Sequence, residues 1–190
     1  MSAEKLNCNE TVDASVNRGA SSSESVDVSG IYTAVCRDVD GNVKWSDEYR
    51  NTVTTVGKNS LLDVYLGAST QITTWYLGLI SSTSYSAIAA ADTAASHAGW
   101  KEAGPTFAPA YSEGFRQTAA WSAAASGSKA TSSAAIFTMS SSGTVKGSFL
   151  ISNNAKDGTT GTLYSAGLFS AGDKTVTSGD TISVSYTATA

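Results

Sequence analysis

Residues 31–50 read "IYTAVCRDVDGNVKWSDEYR", from Ile31 to Arg50. Two runs of alternating character, Ile31 to Val39 and Val43 to Tyr49, flank the tripeptide Asp40-Gly41-Asn42. An alternation of period two sends successive side chains to opposite faces of a strand. Gly41 offers the positive φ that a tight hairpin turn needs. The stretch predicts an antiparallel hairpin, and the downstream sequence follows the same pattern.

One segment departs from it. In "TTVGKNSLLDVYLG", Leu61, Leu62, Tyr65 and Leu66 recur at helical spacing and Gly67 follows as a stop, which predicts one helix of two to three turns. "QITTWYLGLI", Gln71 to Ile80, is almost continuously apolar, as a central strand covered on both faces should be, and Trp75 is assigned to the core. The chain from Ser81 to Pro109 is irregular and holds both prolines, in "GPTFAP". Four further strand-like runs cover residues 115–123, 130–139, 144–152 and 163–169, and "DTISVSYTATA" ends the sequence with Ile182, Val184 and Tyr186 alternating against Ser and Thr. Together these predict an all-β fold: an antiparallel β-sandwich, jelly-roll-like, of about eight strands with one short helix. Residues 1–29 are polar and Ser-rich and read as an extended arm, leaving residues 30–190 as the sandwich domain.

Composition agrees and excludes several functions. At 190 residues the chain suits one domain, and its 41% of hydrophobic residues are heavily alanine, so the core is thin in large side chains. Charged residues make up 15%, against about 25% in typical soluble domains. A net charge of −4, with 12 dispersed Lys and Arg, offers no basic field and argues against a nucleic-acid partner. No apolar run has the roughly 20 residues of a membrane span, and "MSAEKLNCNE" lacks the layout of a secretion signal, so synthesis in a cytoplasm is expected. Cys8 and Cys36 are then expected as free thiols, and two cysteines with one histidine fall short of a zinc site.

The single histidine lies in "ADTAASHAGW", residues 91–100. Asp92 and His97 invite comparison with a hydrolytic triad, but dozens of serines and no nucleophile elbow make the pairing uninformative. The more specific reading is structural: Asp92 and Thr93 bond nearby backbone N–H groups to start a turn, and His97 is a hydrogen-bonding strut packed on a tryptophan. "NNAKDGTTG" lacks the spacing of a calcium loop, and "GTVKGSF" and "GTLYSAG" have no following helix to cradle phosphate. No catalytic residue, cofactor or metal is expected. The candidates at protein contacts are Trp100, Phe107 and Tyr111 in the irregular segment, and Val26 and Val28 in the arm.

Several blocks, in order, resemble a family of virion structural proteins of tailed bacteriophages: "WSDEYRNTVTTVGKNSLLDVYL" from Trp45, "TTWYLGLI" from Thr73, "ADTAASHAGWKE" from Ala91, "SAAIFTMSSSGTVKGSFLIS" from Ser133, "GTLYSAGLFS" from Gly161 and "VTSGDTISVSYT" from Val176. The resemblance runs from about Ile31 to the C-terminus. It implies a protein without catalytic activity, made in the host cytoplasm and carried on the virion as a capsid decoration or cement protein. Its implied partners are the major capsid protein and copies of itself, as a dimer or trimer. A tail-associated or receptor-binding module is the alternative, with residues 81–111 meeting the host surface; a polysaccharide-degrading enzyme is a third reading.

Overall fold

The hairpin forms as its residues require. β1 (Ser29–Arg37) and β2 (Val43–Val53) pair antiparallel from Ile31↔Arg50 to Arg37↔Val43, and Gly41 turns with φ 85°. Asp38 staples the turn, its Oδ1 accepting from the Asp40 and Asn42 backbone N–H groups at 3.0 and 2.8 Å. The computed structural model describes residues 27–67 and 69–190. Most of the predicted arm, including Val26 and Cys8, lies outside the described residues. Its predicted boundary moves slightly, because Ser29 already pairs with Thr189 and Val28 packs against the core.

The remaining elements are α1 (Thr55–Tyr65), β3 (Trp75–Ser81), β4 (Lys101–Glu102), β5 (Gln117–Ala119), β6 (Ser128–Ala130), β7 (Ala135–Thr138), β8 (Gly143–Ile151), β9 (Leu163–Leu168), β10 (Lys174–Val176) and β11 (Thr181–Thr189). All pairings are antiparallel. One layer is β2-β1-β11, with β6 and β7 on the far side of β11. The other is β9-β8-β3, carrying β10 on β8 and β4 and β5 on β3. β2 belongs to both layers: through Arg50 it pairs with β1, and from Asn51 to Val53 it pairs with β9. The sheet therefore folds over on itself as an antiparallel sandwich.

The strand count rises from about eight to eleven for a physical reason. The added strands are the two- and three-residue β4, β6 and β10, and the 115–123 and 130–139 runs contract to β5 and β7, because these segments lie at sheet margins. Side-chain bonds complete their pairing, such as Tyr186 N–H to Thr131 Oγ1 at 3.1 Å.

Burial separates the layers. β1 and β11 alternate, turning Tyr32, Ala34 and Cys36, and Ile182, Val184 and Tyr186, to the interior. β3, β8 and β9 are buried on both faces. Leu77, Leu79, Leu150 and Tyr164 enter the main core, while Ile80, Phe149, Ile151 and Leu163 enter a second, outer core. Tyrosines supply much of the mass that scarce aliphatics do not. The rings of Tyr32 and Tyr186 lie 4.6 Å apart, and those of Tyr32 and Tyr49 5.5 Å. Their hydroxyls bond within the interior: Tyr32 to Ser165 Oγ at 2.7 Å, Tyr49 to Ser148 Oγ at 2.8 Å, and Tyr186 to the Asn51 amide at 2.7 Å.

Thr54 caps α1, its Oγ1 accepting from the Gly57 N–H at 3.0 Å. A Cβ at Gly57 would lie 2.5 Å from the Tyr164 carbonyl oxygen, so glycine lets the helix rest on β9 backbone to backbone. Because the helix packs through Gly57, Leu62, Tyr65 and Leu66 face away from the sandwich. Trp75, assigned to the core, is half-buried at the rim beside this helix and packs edge-on against Tyr164.

Candidate functional site: an apolar helix face and its cleft

The segment around His97 is built as a lid. Asp92 Oδ2 accepts from the Ala89 N–H and from the Trp100 indole Nε1, both at 2.9 Å. Thr93 and Ser96 close a two-residue turn with reciprocal backbone bonds of 2.9 and 3.2 Å, and Thr93 Oγ1 also accepts from the Ser96 N–H. His97 stacks on Trp100 at 4.1 Å and its Nδ1 donates to the Trp100 carbonyl at 3.1 Å, which makes it the predicted strut. The Asp92 oxygen that bonds is occupied by Ala89 and Trp100, so it does not orient the imidazole as a relay carboxylate would. Gly99 acts by close approach, since a Cβ there would lie 2.2 Å from the Ala87 carbonyl oxygen.

Two of the proposed contact anchors are interior residues. Trp100 is 1% exposed, packs on Phe149 at 5.1 Å and seals the outer core; Tyr111 is 3% exposed, edge-on to Phe137 at 5.0 Å. Both are corrections. A second layer apolar on both faces needs a cover, and the irregular segment supplies it. Phe107 is half-buried beside Lys101, at the edge of a polar cleft that also contains His97, Thr106 and Asp157. Val28 is partly buried on the main core, and Val26 lies outside the described residues.

Buried charges in this region are tied down. Arg116 donates through Nε and Nη2 to the two Glu102 oxygens at 3.0 and 2.8 Å, and both side chains are almost fully buried. Arg116 also donates to the Asn153 carbonyl at 2.9 Å, and Glu102 accepts from the Asp157 N–H at 2.8 Å. Elsewhere Lys44 meets Asp180 at 2.5 Å, and Lys174 meets Asp47 at 3.2 Å. Burial pushes the Asp180 carboxyl up, but Lys44 and the Thr177 N–H and hydroxyl outweigh it and hold the group below its usual range. Asp47 is held low in the same way: burial raises it, and Ser170, the Ala171 N–H and Lys174 more than reverse that. Burial first, and the Asp180 charge second, push the Cys36 thiol up to about 11, so it is protonated and unreactive at neutral pH.

A depressed carboxyl adds stability above its unfolded value, near 4, and that stability is lost as pH falls through the folded value. The thermal midpoint should therefore fall steeply below pH 4. Asp180→Asn should cost about 2 kcal/mol at pH 7 and much less at pH 2. Thermal melts of both proteins at the two pH values check this.

The helix α1 is where the sequence predicts one, but its outward apolar face was not foreseen. Leu61, Leu62, Tyr65 and Leu66 are 41, 59, 89 and 76% exposed. An amphipathic helix ordinarily turns such residues toward the core. Beside the helix, a cleft of about 410 Å³ is lined by Leu61, Val64, Ile72, Trp75, Trp121 and Tyr186, among others. Exposed apolar side chains grouped on one face of a helix are of the kind that marks interaction sites. Gly57, on the side of the helix away from Leu62 and Leu66, was the signal that the helix would pack through that side.

Among the described residues no helix is long and apolar enough to cross a membrane, and no group of three His, Cys, Asp or Glu side chains is placed to hold a metal ion. Compared with known protein families and with curated proteins, the chain matches no family model and no curated protein.

Proposed function

We propose that this chain is a non-enzymatic virion structural protein, a head decoration or cement protein that binds the outside of a capsid lattice and stabilises the shell. The observation that carries the reading is the apolar face of α1, with Leu62, Tyr65 and Leu66 turned outward. The ordered blocks that resemble tailed-bacteriophage structural proteins supply the setting. Burying three such side chains contributes on the order of 5 kcal/mol before association costs, which corresponds to a dissociation constant no tighter than about 10⁻⁴ M. One contact is weak. A lattice repeats it, and a dimer or trimer of this chain bridging several capsid subunits gains avidity through effective concentration.

The adhesion alternative would use residues 81–111. Their largest aromatics, Trp100 and Tyr111, are spent on the interior, which favours the head over the host surface. Fluorescently labelled chain, incubated separately with purified heads and with host cells, tests the choice. The proposal expects saturable labelling of heads only; labelling of cells alone would replace it with adhesion.

A further inference from the structure

We infer that the cleft beside α1 is a binding site for a small aromatic anion, a flat ring system that enters between the two layers of the sandwich with its acidic group at Lys129. This goes beyond the decoration reading and does not rest on it, since Leu62, Tyr65 and Leu66, the side chains offered to a capsid, are not among those that line the cleft.

The cleft enters the molecule where the layers part. Tyr186 and Ala188 reach it from β11 in one layer; Trp75 from β3, Leu150 from β8 and Tyr164 from β9 reach it in the other. α1 adds Leu61 and Val64. Leu150, Tyr164 and Tyr186 belong to the main core, so the cleft leads to core side chains and is more than a surface groove. Its volume of about 410 Å³ lies in the range of roughly 300–1,000 Å³ that holds small ligands, and its position matches the mouths in which β-barrels hold theirs.

Four rings set the chemistry of the ligand. Trp75, Tyr164, Tyr186 and Trp121 follow one another edge to face along the wall, with centroids 5.6, 6.4 and 6.1 Å apart and interplanar angles of 67°, 80° and 81°. Such a wall presents faces and edges to a further ring, and aromatic pairs gain more than the area they bury. A cage of aromatic rings also suits a cation when nothing opposes it. Lys129 decides between the two: it is the one charged residue lining the cleft among the described residues, and it is itself a cation. Its ammonium group gives one donor to the Ser122 carbonyl at 2.9 Å, which leaves two for an anion.

An unpaired hydroxyl adds a polar requirement. Tyr164 is 6% exposed, yet its phenol has no hydrogen-bond partner among the described residues, and burial with no bond to offset it pushes the phenol pKa up. The hydroxyls of Tyr32, Tyr49 and Tyr186 are all bonded. Buried polar groups are normally paired, and a hydroxyl both donates and accepts. A ligand with one polar atom in its ring system completes Tyr164, while its anionic group meets Lys129 at the exposed rim.

Fluorescence titration of the full chain with 1-anilinonaphthalene-8-sulfonate, an aromatic sulfonate whose emission rises in apolar surroundings, tests this. The inference expects saturable binding of one dye per chain. Tyr164→Phe, which removes only the hydroxyl, should weaken binding about fivefold, and Lys129→Glu, at an exposed position, about tenfold. Leu62→Glu/Leu66→Glu should leave it unchanged. N-phenyl-1-naphthylamine, the same ring system without the sulfonate, should bind the native chain more weakly and be indifferent to Lys129→Glu. Absence of saturable binding overturns the inference. So does loss of binding in the Leu62/Leu66 variant, which would place the dye on the helix face, and so does equal affinity of the native chain for the two dyes, which would remove the anion from the site.

Discussion

Arg116→Met should lower the unfolding free energy by about 3–5 kcal/mol, because it removes one partner of a buried ion pair and leaves the other charge uncompensated. At roughly 2–4 °C per kcal/mol for a domain of this size, the thermal midpoint should fall by about 6–20 °C. The geometry makes this a large effect. The guanidinium grips both Glu102 oxygens, lies 5.2 Å from the centre of the Phe149 ring and fastens the Asn153 carbonyl, so it joins β4 to the loop after β8. Adding Glu102→Leu to Arg116→Met should restore part of the loss by removing the stranded carboxylate. Restoration stays partial, because the Asn153 carbonyl and the Asp157 N–H lose their partners. A double-mutant cycle by thermal or urea denaturation measures the coupling. Simple additivity of the two substitutions would show that the pair is no unit.

Trp100→Ala should cost about 3–5 kcal/mol, as truncation of a fully buried tryptophan usually does. The indole fills the space between Phe149 and His97 and donates to Asp92, so its loss opens a cavity and removes a bonded partner from a buried carboxylate. Had Trp100 been a surface anchor, the same substitution would leave the melting curve unchanged and abolish binding. Here the stability loss comes first, and it is read from the denaturation midpoint. His97→Ala, which uncovers one face of the indole without opening the core, should cost about 1 kcal/mol.

The elements legible in the sequence are those whose periodicity carries the structure. The first hairpin shows in its alternation and in Gly41, and β3, β8 and β9 show as apolar runs between turn residues. Two things were hidden. Periodicity reports that a helix is amphipathic but not which side it packs, so Leu62 and Leu66 read as helix without reading as surface. Nor can it assign a tryptophan in an irregular segment: Trp100, close to two prolines, looked available for contact. The signal for its burial lay elsewhere, in strands apolar on both faces. Something had to cover their outer side, and residues 82–100 do so through Tyr85, Ile88, Ala94 and Trp100. The margins around β5 to β7 were illegible for a further reason, since side-chain hydrogen bonds and single bridges hold them and neither leaves a periodic trace.

If the outward face of α1 holds this protein to other proteins, as we propose, binding depends on Leu62 and Leu66. Purified heads titrated with the chain, alongside a Leu62→Glu/Leu66→Glu variant whose melting temperature matches the parent, test it most directly. Both positions are exposed, so the fold should tolerate the change. The parent should bind saturably and the variant at least about 100-fold more weakly, the equivalent of roughly 3 kcal/mol of lost apolar burial. Equal affinity of the two proteins for the heads would contradict it.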